Sequence, residues 1–178
     1  VGFSSSEDIV LSASIAQQNL FGSGNSLTLG LNTSESSRTL ALSFTNPYYT
    51  VDGVSLGWDL YHRTYDADEL DSVSPYKTVS TGAGIRLGWP IAEDDQVNFG
   101  LTADRTEITT YAQSPFLYQD FCLENGLDSA SRGIGSCTVD SLLLTVGWSR
   151  DGRDSFTYPR SGVYQRVYGE VTVPVGDL

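Results

Sequence analysis

Residues 79–89 read VSTGAGIRLGW and residues 97–104 read VNFGLTAD, and these two stretches decide the fold. Apolar residues alternate with small polar residues or glycine through both, which is the period of a β-strand with two different faces. The segment between them contains Pro90 and the acidic pair Asp94 and Asp95, a composition typical of a turn. The two stretches therefore predict a β-hairpin.

The same alternation recurs from one end of the 178-residue chain to the other. With a weak opening strand over residues 1–5, it predicts about nine strands of about 9 to 11 residues, and no helix. Soluble sheets mostly use strands of about 5 to 6 residues, whereas this length is sufficient for a tilted strand to cross a bilayer. The apolar positions are Leu11, Ala13 and Ile15; Leu27, Leu29 and Leu31; Leu40, Leu42 and Phe44; Val54, Leu56, Trp58 and Leu60; Val79, Ala83, Ile85, Leu87 and Trp89; Val97, Phe99, Leu101 and Ala103; Leu142, Leu144, Val146 and Trp148; and Val163, Val167, Val171, Val173 and Val175.

The polar face of these strands separates a membrane barrel from a soluble sandwich. A sandwich would turn that face to water and fill it with Lys and Glu, whereas here it consists mainly of Gly, Ser, Thr and Asn. Its few charges are isolated along the strands and suit a wet lumen in which they pair with one another; they are Asp59, Arg86, Asp104, Arg166 and Glu170. The fold class predicted is an all-β, antiparallel, transmembrane outer-membrane β-barrel.

Aromatic residues and connection lengths support this fold class. Many aromatic residues lie near predicted strand ends, as in the interfacial girdles of outer-membrane barrels. Short turns at residues 46–53, 90–95 and 156–162 are expected to face the periplasm, and long loops at 66–76 and 109–140 to face outward. A soluble β-sandwich remains the alternative, with the same aromatic residues in its core. The aromatic set is Phe44, Tyr48, Tyr49, Trp58, Tyr61, Trp89, Trp148, Tyr164 and Tyr168.

Composition excludes some functions and leaves no basis for catalysis. The net charge of -12 argues against nucleic-acid binding, because phosphates are neutralised by Lys and Arg. No nucleotide-binding or hydrolase motif is present, and His62 is the single histidine, so we predict no enzymatic activity, no metal site and no cofactor. The acidic residues Asp66, Asp68, Glu69 and Asp71 favour a solvated loop over a calcium site, because they lack the spacing of an EF-hand.

The two cysteines, Cys122 and Cys137, lie in one polar stretch rich in Gly and Ser. This placement favours a disulfide formed in an oxidising compartment over a metal site. Closing a loop of this size would stabilise the fold by roughly 3 kcal/mol in the chain-entropy model.

Residues 43–57, SFTNPYYTVDGVSLG, resemble the BamA family, whose members insert β-barrel proteins into bacterial outer membranes. The resemblance extends to QQNLFGSG at residues 17–24, to GWSRD at 147–151 and to YPRSG at 158–162, and so covers essentially the whole chain. Composition and periodicity alone stop at an outer-membrane barrel, with a small complete barrel of eight strands as one possibility. Two features oppose that possibility: the strand count is nearer nine, whereas single-chain bacterial barrels have even numbers, and Leu178 follows Val175, Gly176 and Asp177 in what is expected to be a turn.

The resemblance implies that residues 1–178 form the N-terminal half of a sixteen-stranded barrel of the bacterial surface antigen type. The family's periplasmic POTRA domains and later strands have no counterpart in this chain, which begins at Val1 without an initiator Met, so we expect it to be a piece of a longer protein. The family's plug motif of the sixth loop is also absent from this sequence.

The resemblance also implies a site. The first strand, over Val1, Gly2, Phe3, Ser4 and Ser5, would form one side of a lateral gate and template incoming strands. The implied partners are nascent outer-membrane proteins, outer-membrane lipids including lipopolysaccharide, and the BAM lipoproteins through the missing POTRA domains. An isolated piece is also expected to self-associate edge to edge. The alternatives are a two-partner-secretion or autotransporter-assembly pore, or a small passive porin.

Overall fold

The computed structural model describes residues 2–4, 8–67, 75–125, 127, 132–155 and 157–175. It contains one nine-stranded sheet in which each strand is hydrogen-bonded to its neighbours in sequence order. A single 3-10 turn, Leu20–Gly22, separates the second and third strands. The elements are β1 (Gly2–Ser4), β2 (Asp8–Gln17), β3 (Ser26–Thr33), β4 (Ser37–Asn46), β5 (Ser55–Asp66), β6 (Tyr76–Pro90), β7 (Asp95–Thr110), α1 (Phe116–Glu124), β8 (Gly135–Asp151) and β9 (Tyr164–Pro174).

Every neighbouring pair of strands is antiparallel, which confirms the predicted all-β fold and the count of about nine strands. The strand lengths differ from the prediction at β6, β7 and β8, which have 15, 16 and 17 residues. These strands continue past their apolar positions through polar residues that still pair, such as Thr109 with Ser136. Apolar alternation does not mark such segments, because the positions that continue the apolar face are polar there, as at Arg105, Glu107 and Asp140.

The register places the predicted apolar residues in continuous rows on one face of the sheet. These residues are not packed into a core: Leu29 is 41% exposed and Leu101 is 50% exposed. The described residues thus form no sandwich core, and the apolar face has the exposure that a lipid-facing surface requires. One such row consists of Ile15, Leu29, Leu42, Leu60, Ala83, Ala103, Leu142 and Val173.

The aromatic prediction is correct for one group of residues and wrong for another. Phe44 and Trp58 stack on the apolar face with ring centroids 5.4 Å apart, and Trp89 and Trp148 share the register of that face. Three tyrosines lie instead on the polar face, because their positions alternate with apolar ones such as Leu60 and Val167. These three are Tyr61, Tyr164 and Tyr168.

The expectation of no helix is wrong, because α1 occupies the connection between β7 and β8. The helix starts directly after Pro115, whose φ of -55° is compatible with a helix start. Its apolar residues are spread around the helix and do not form one stripe, so a period of 3.6 is not detectable in its sequence. Among the described residues, no helix has both the length and the apolar composition needed to span a bilayer.

Helix α1 folds over the polar face of the sheet. Its Cys122 forms a disulfide with Cys137 of β8, with 5.4 Å between the Cα atoms, and is buried against Ile108 of β7. Both strand residues belong to the polar face, since they alternate with Glu107 and Thr138. Ring contacts hold the helix to the sheet: Tyr118 stacks on Tyr76 of β6 with 4.6 Å between centroids, and Tyr76 is tilted against Tyr65 of β5 with 5.7 Å between centroids.

The connections sort by length largely as predicted. Tight turns join β4 to β5, where Gly53 has a φ of +82°, and β6 to β7, where the amide of Ile91 donates to the carbonyl of Asp95. In the turn between β8 and β9, the amides of Arg160 and Ser161 donate to Asp154 and hold the pKa of that carboxyl below its usual range. The end of the sheet that carries the long loops also has one short turn, at residues 34–36 between β3 and β4.

The disulfide predicts a testable difference between the helix and the sheet. Replacing both Cys122 and Cys137 with Ser should destabilise the attachment of α1 by roughly 3 kcal/mol, because the closed loop of 15 residues is opened. We expect faster proteolysis in the connection between β7 and β8 and little change in the sheet. Ser136→Ala, next to Cys137 on the opposite face, is the control. Two freely alkylated thiols in the folded, non-reduced protein would contradict the pairing.

The assignment of faces predicts opposite effects at adjacent positions of β7. Leu101→Arg should lower the free energy of unfolding from a bilayer by roughly 2 to 4 kcal/mol, because it places a charge against lipid. Thr102→Arg points to the polar face and should have a much smaller effect. Denaturant unfolding of the full-length protein from lipid vesicles measures both changes, and equal losses would argue against the assignment.

Candidate functional site in the strand edges and the polar wall

The predicted gate strand is the shortest strand of the sheet. Three of the five predicted residues, Gly2, Phe3 and Ser4, form β1, and they pair with Val10, Ile9 and Asp8 of β2. Val1 and Ser5 lie outside the described residues. In the described part of the chain, no strand pairs with the other side of β1, so its outer row of backbone groups forms an edge.

The extent of pairing changes from β1 to the centre of the sheet. Strand β1 pairs with β2 over three residues, whereas β7 pairs with β8 along its full 16 residues. Each backbone pairing in the middle of the sheet is therefore supported by pairings on both sides.

The other edge of the sheet is the long strand β9. Its 11 residues pair with β8 on one side, and the described residues supply no strand for the other side. All of its residues are exposed, and Val167 and Val171 are 65% and 60% exposed on the apolar face. A long, exposed, apolar edge of this kind favours pairing with a further strand.

The polar face of the sheet between these edges, which we call the polar wall, contains an ion pair at its centre. The guanidinium of Arg86 on β6 donates to both carboxylate oxygens of Asp59 on β5, at 2.5 and 3.0 Å, and to the hydroxyl of Ser43 on β4 at 3.0 Å. The absence of a side chain at Gly57 gives Arg86 the space to lie flat, because a Cβ there would be 3.2 Å from Nη2. One side chain thus joins three strands, as the predicted pairing of lumen charges requires.

A hydrogen-bonded chain joins the next residues toward the long-loop end. The Tyr61 hydroxyl donates to Asp104 at 2.5 Å, and Thr106 donates to the other oxygen of that carboxylate at 2.7 Å. A second hydroxyl, that of Ser80, lies 2.9 Å from Thr106. The ring of Tyr61 occupies the place that a side chain at Gly82 would fill, so the glycine permits the contact. Sequence reasoning missed Tyr61 here because it assigned this residue to the lipid interface.

The remaining predicted charges are not paired with one another. Arg166 lies over the ring of Tyr168, with its Cζ atom 5.9 Å from the centroid. Within the part of the chain that the structure describes, neither Arg166 nor Glu170 has an ion-pair partner. Both residues are on β9, so their side chains lie at the edge of the polar wall.

The histidine and the acidic loop are placed outside the polar wall. His62 lies on the opposite face, where its Nδ1 atom is 2.8 Å from the hydroxyl of Thr81. Asp66 pairs with Lys77 at 2.9 Å, and the other three acidic residues of the predicted cluster lie outside the described residues. Across the described ranges, no three His, Cys, Asp or Glu side chains come together as a metal-binding group.

Comparison with known proteins identifies this architecture. The model of the Omp85 superfamily domain matches residues 19–178. Over 173 residues the chain is 39% identical to the outer membrane protein assembly factor BamA of Neisseria meningitidis serogroup B. The aligned region covers 96% of this chain and 21% of that protein, so the chain spans about a fifth of its relative's length.

A solved structure shows the same fold. The crystal structure of BamA from Haemophilus ducreyi lacking POTRA domains 1–3 matches with a TM-score of 0.72 and 24% identity. The match covers 96% of this chain and 32% of that one, as expected of part of a larger barrel. The chain thus belongs to the Omp85 superfamily, is a relative of BamA, and is a β-barrel segment of the bacterial outer membrane.

Proposed function

We propose that the protein containing this chain folds and inserts β-barrel proteins into the outer membrane, and that β1 is the edge on which client strands are templated. The observation that carries the proposal is the position of β1 as the first strand of the sheet in a chain that is 39% identical to an outer membrane protein assembly factor. The similarity to an outer-membrane protein assembly factor supports the same activity for the longer protein.

The mechanism follows from the cost of bare backbone groups in lipid. An unpaired amide or carbonyl in the hydrocarbon costs several kcal/mol, so a client strand enters a bilayer only as an addition to an existing edge. An edge that is held by extensive pairing is not available. In the proposed mechanism, the backbone of β1 at the edge of the sheet pairs with the incoming client strand.

The polar wall supports this mechanism through side-chain contacts across strands. The Arg86 ion pair joins β4, β5 and β6; Asp104 on β7 accepts from Tyr61 on β5, and Thr106 joins β7 to Ser80 on β6. A sheet held together from β4 to β7 lets the first strand move without loss of the whole barrel. We propose no covalent step and no cofactor, because presenting an edge requires neither.

The proposed partners follow from the same surfaces. Nascent outer-membrane proteins would pair with β1, and the BAM lipoproteins would be bound by the POTRA domains of the longer protein. Lipopolysaccharide and other outer-membrane lipids would cover the apolar face. If the 178-residue piece is produced alone, the exposed edge of β9 should pair with a second copy.

The proposal predicts a site-specific contact between β1 and a client. The full-length protein with Ser4→Cys, reconstituted in liposomes, should accelerate the folding of a urea-denatured outer-membrane protein and cross-link to it during folding. Leu31→Cys is the matched control, because it is exposed on β3 but that strand is paired on both sides. Its cross-linking should be near background.

Two results would contradict the proposal. Equal cross-linking at Leu31→Cys would show that the client contacts the sheet face without templating at β1. Ion conductance or export of one dedicated passenger, without acceleration of client folding, would instead indicate a secretion pore or a passive porin.

A further inference from the structure

The apolar face of the sheet has a depression that the assembly function does not use. Two alanines, Ala83 on β6 and Ala103 on β7, lie side by side in one cross-strand row, with leucines on the strands to either side. The short side chains leave a space of about 810 Å³. We name this space the outer groove and define it by Leu29, Leu42, Leu60, Ala83, Ala103 and Leu142.

Polar residues line one end of the outer groove. His62, Thr81, Arg105 and Asp140 form this polar rim, and they occupy a single cross-strand row on the same face. The rim is on the side of the long loops, because these positions lie nearer than the alanines to the strand ends that the long connections join. The outer groove is thus apolar along its length and polar at the outward end, which is the polarity of a membrane lipid.

The rim has hydrogen-bond donors left for an anionic headgroup. Arg105 donates Nε and Nη2 to the carboxylate of Asp140 at 2.6 and 2.7 Å, which leaves its Nη1 group unused in these bonds. His62 is exposed and uses Nδ1 toward Thr81, so its other ring nitrogen takes no part in this contact. Guanidinium and imidazole groups at the polar rim are suited to binding phosphate. Asp140 holds the guanidinium in place.

The width of the outer groove selects among lipids. Its lining runs from Leu29 on β3 to Leu142 on β8, which is five strand spacings or roughly 24 Å at about 4.8 Å each. A surface of this width takes several acyl chains side by side, more than the two chains of a phospholipid. Lipopolysaccharide combines several chains with phosphates and lies in the outward leaflet of this membrane.

We propose that the outer groove and its rim are a binding site for one lipopolysaccharide molecule, with its acyl chains along Ala83 and Ala103 and a phosphate at Arg105 and His62. The proposal rests on the proposed function, with the long loops facing outward. It adds a specific lipid site to that function. It requires that a lipid stay bound here more tightly than elsewhere on the apolar face.

The test measures retained lipid on the full-length protein in detergent by native mass spectrometry. Titration with rough-type lipopolysaccharide should give about tenfold weaker retention for Ala83→Phe with Ala103→Phe, because the bulky rings remove the contact of a few methylene groups. Ala13→Phe is the matched control, since Ala13 is on the same face beside Leu31 and outside the outer groove. It should retain lipopolysaccharide as the unmodified protein does.

A second variant tests the headgroup contact. Arg105→Gln with Asp140→Asn keeps the net charge and the shape of the rim, and it should weaken retention of lipopolysaccharide but not of phosphatidylglycerol. Equal retention by the groove variant and the control would overturn the proposal. So would phosphatidylglycerol binding as tight as that of lipopolysaccharide. Client folding is measured on the same samples. Loss of client folding with normal lipid retention counts against the proposed function alone. Loss of lipid retention with normal client folding supports the lipid site and leaves the proposed assembly function unaffected.

Discussion

The requirement that every backbone amide and carbonyl in the hydrocarbon be paired determines this structure. Eight consecutive antiparallel pairings join the strands from β1 to β9, and each central strand is bonded on both sides over most of its length. Within the described residues the requirement is unmet along the two ends of the sheet, at β1 and the part of β2 beyond Val10, and at β9. Backbone groups at such an edge are satisfied only when a further strand pairs with them.

The two faces of the wall are stabilised by different interactions. The apolar face has no core, and its side chains depend on lipid for their burial. The polar face is stabilised by hydrogen bonds across strands, and glycine provides the space that they need: Arg86 lies across Gly57, and Tyr61 occupies the space above Gly82. A larger residue at Gly82 would force the ring of Tyr61 to shift away from its place beside Asp104, whereas one at Gly57 would make only a close contact with the end of Arg86. Glycine on this face is therefore a requirement of the polar network and not only a consequence of a wet lumen.

Alternation of residue types was sufficient to predict the fold. It did not predict helix α1 or the face of Tyr61, and both errors have a physical reason. Period two is imposed by the pleat, so Leu101 and Thr102 reveal their faces without tertiary information. The helix α1 is stabilised by a disulfide and by ring stacking on Tyr76, which are contacts with distant residues, and its own sequence has no apolar stripe. Tyr61 was misplaced because a tyrosine is compatible with both an interface and a lumen, and only its register with Gly82 decides.

The position of the first strand was predictable, but its pairing was not. Resemblance to a family locates this strand at Gly2, Phe3 and Ser4, and only the register shows that these residues pair with Val10, Ile9 and Asp8. The same reasoning applies to the rim at Arg105 and Asp140, where two opposite charges 35 residues apart become one pair only through the alignment of β7 with β8. In a barrel wall, local sequence sets which face a residue occupies, and the register sets which residues act together.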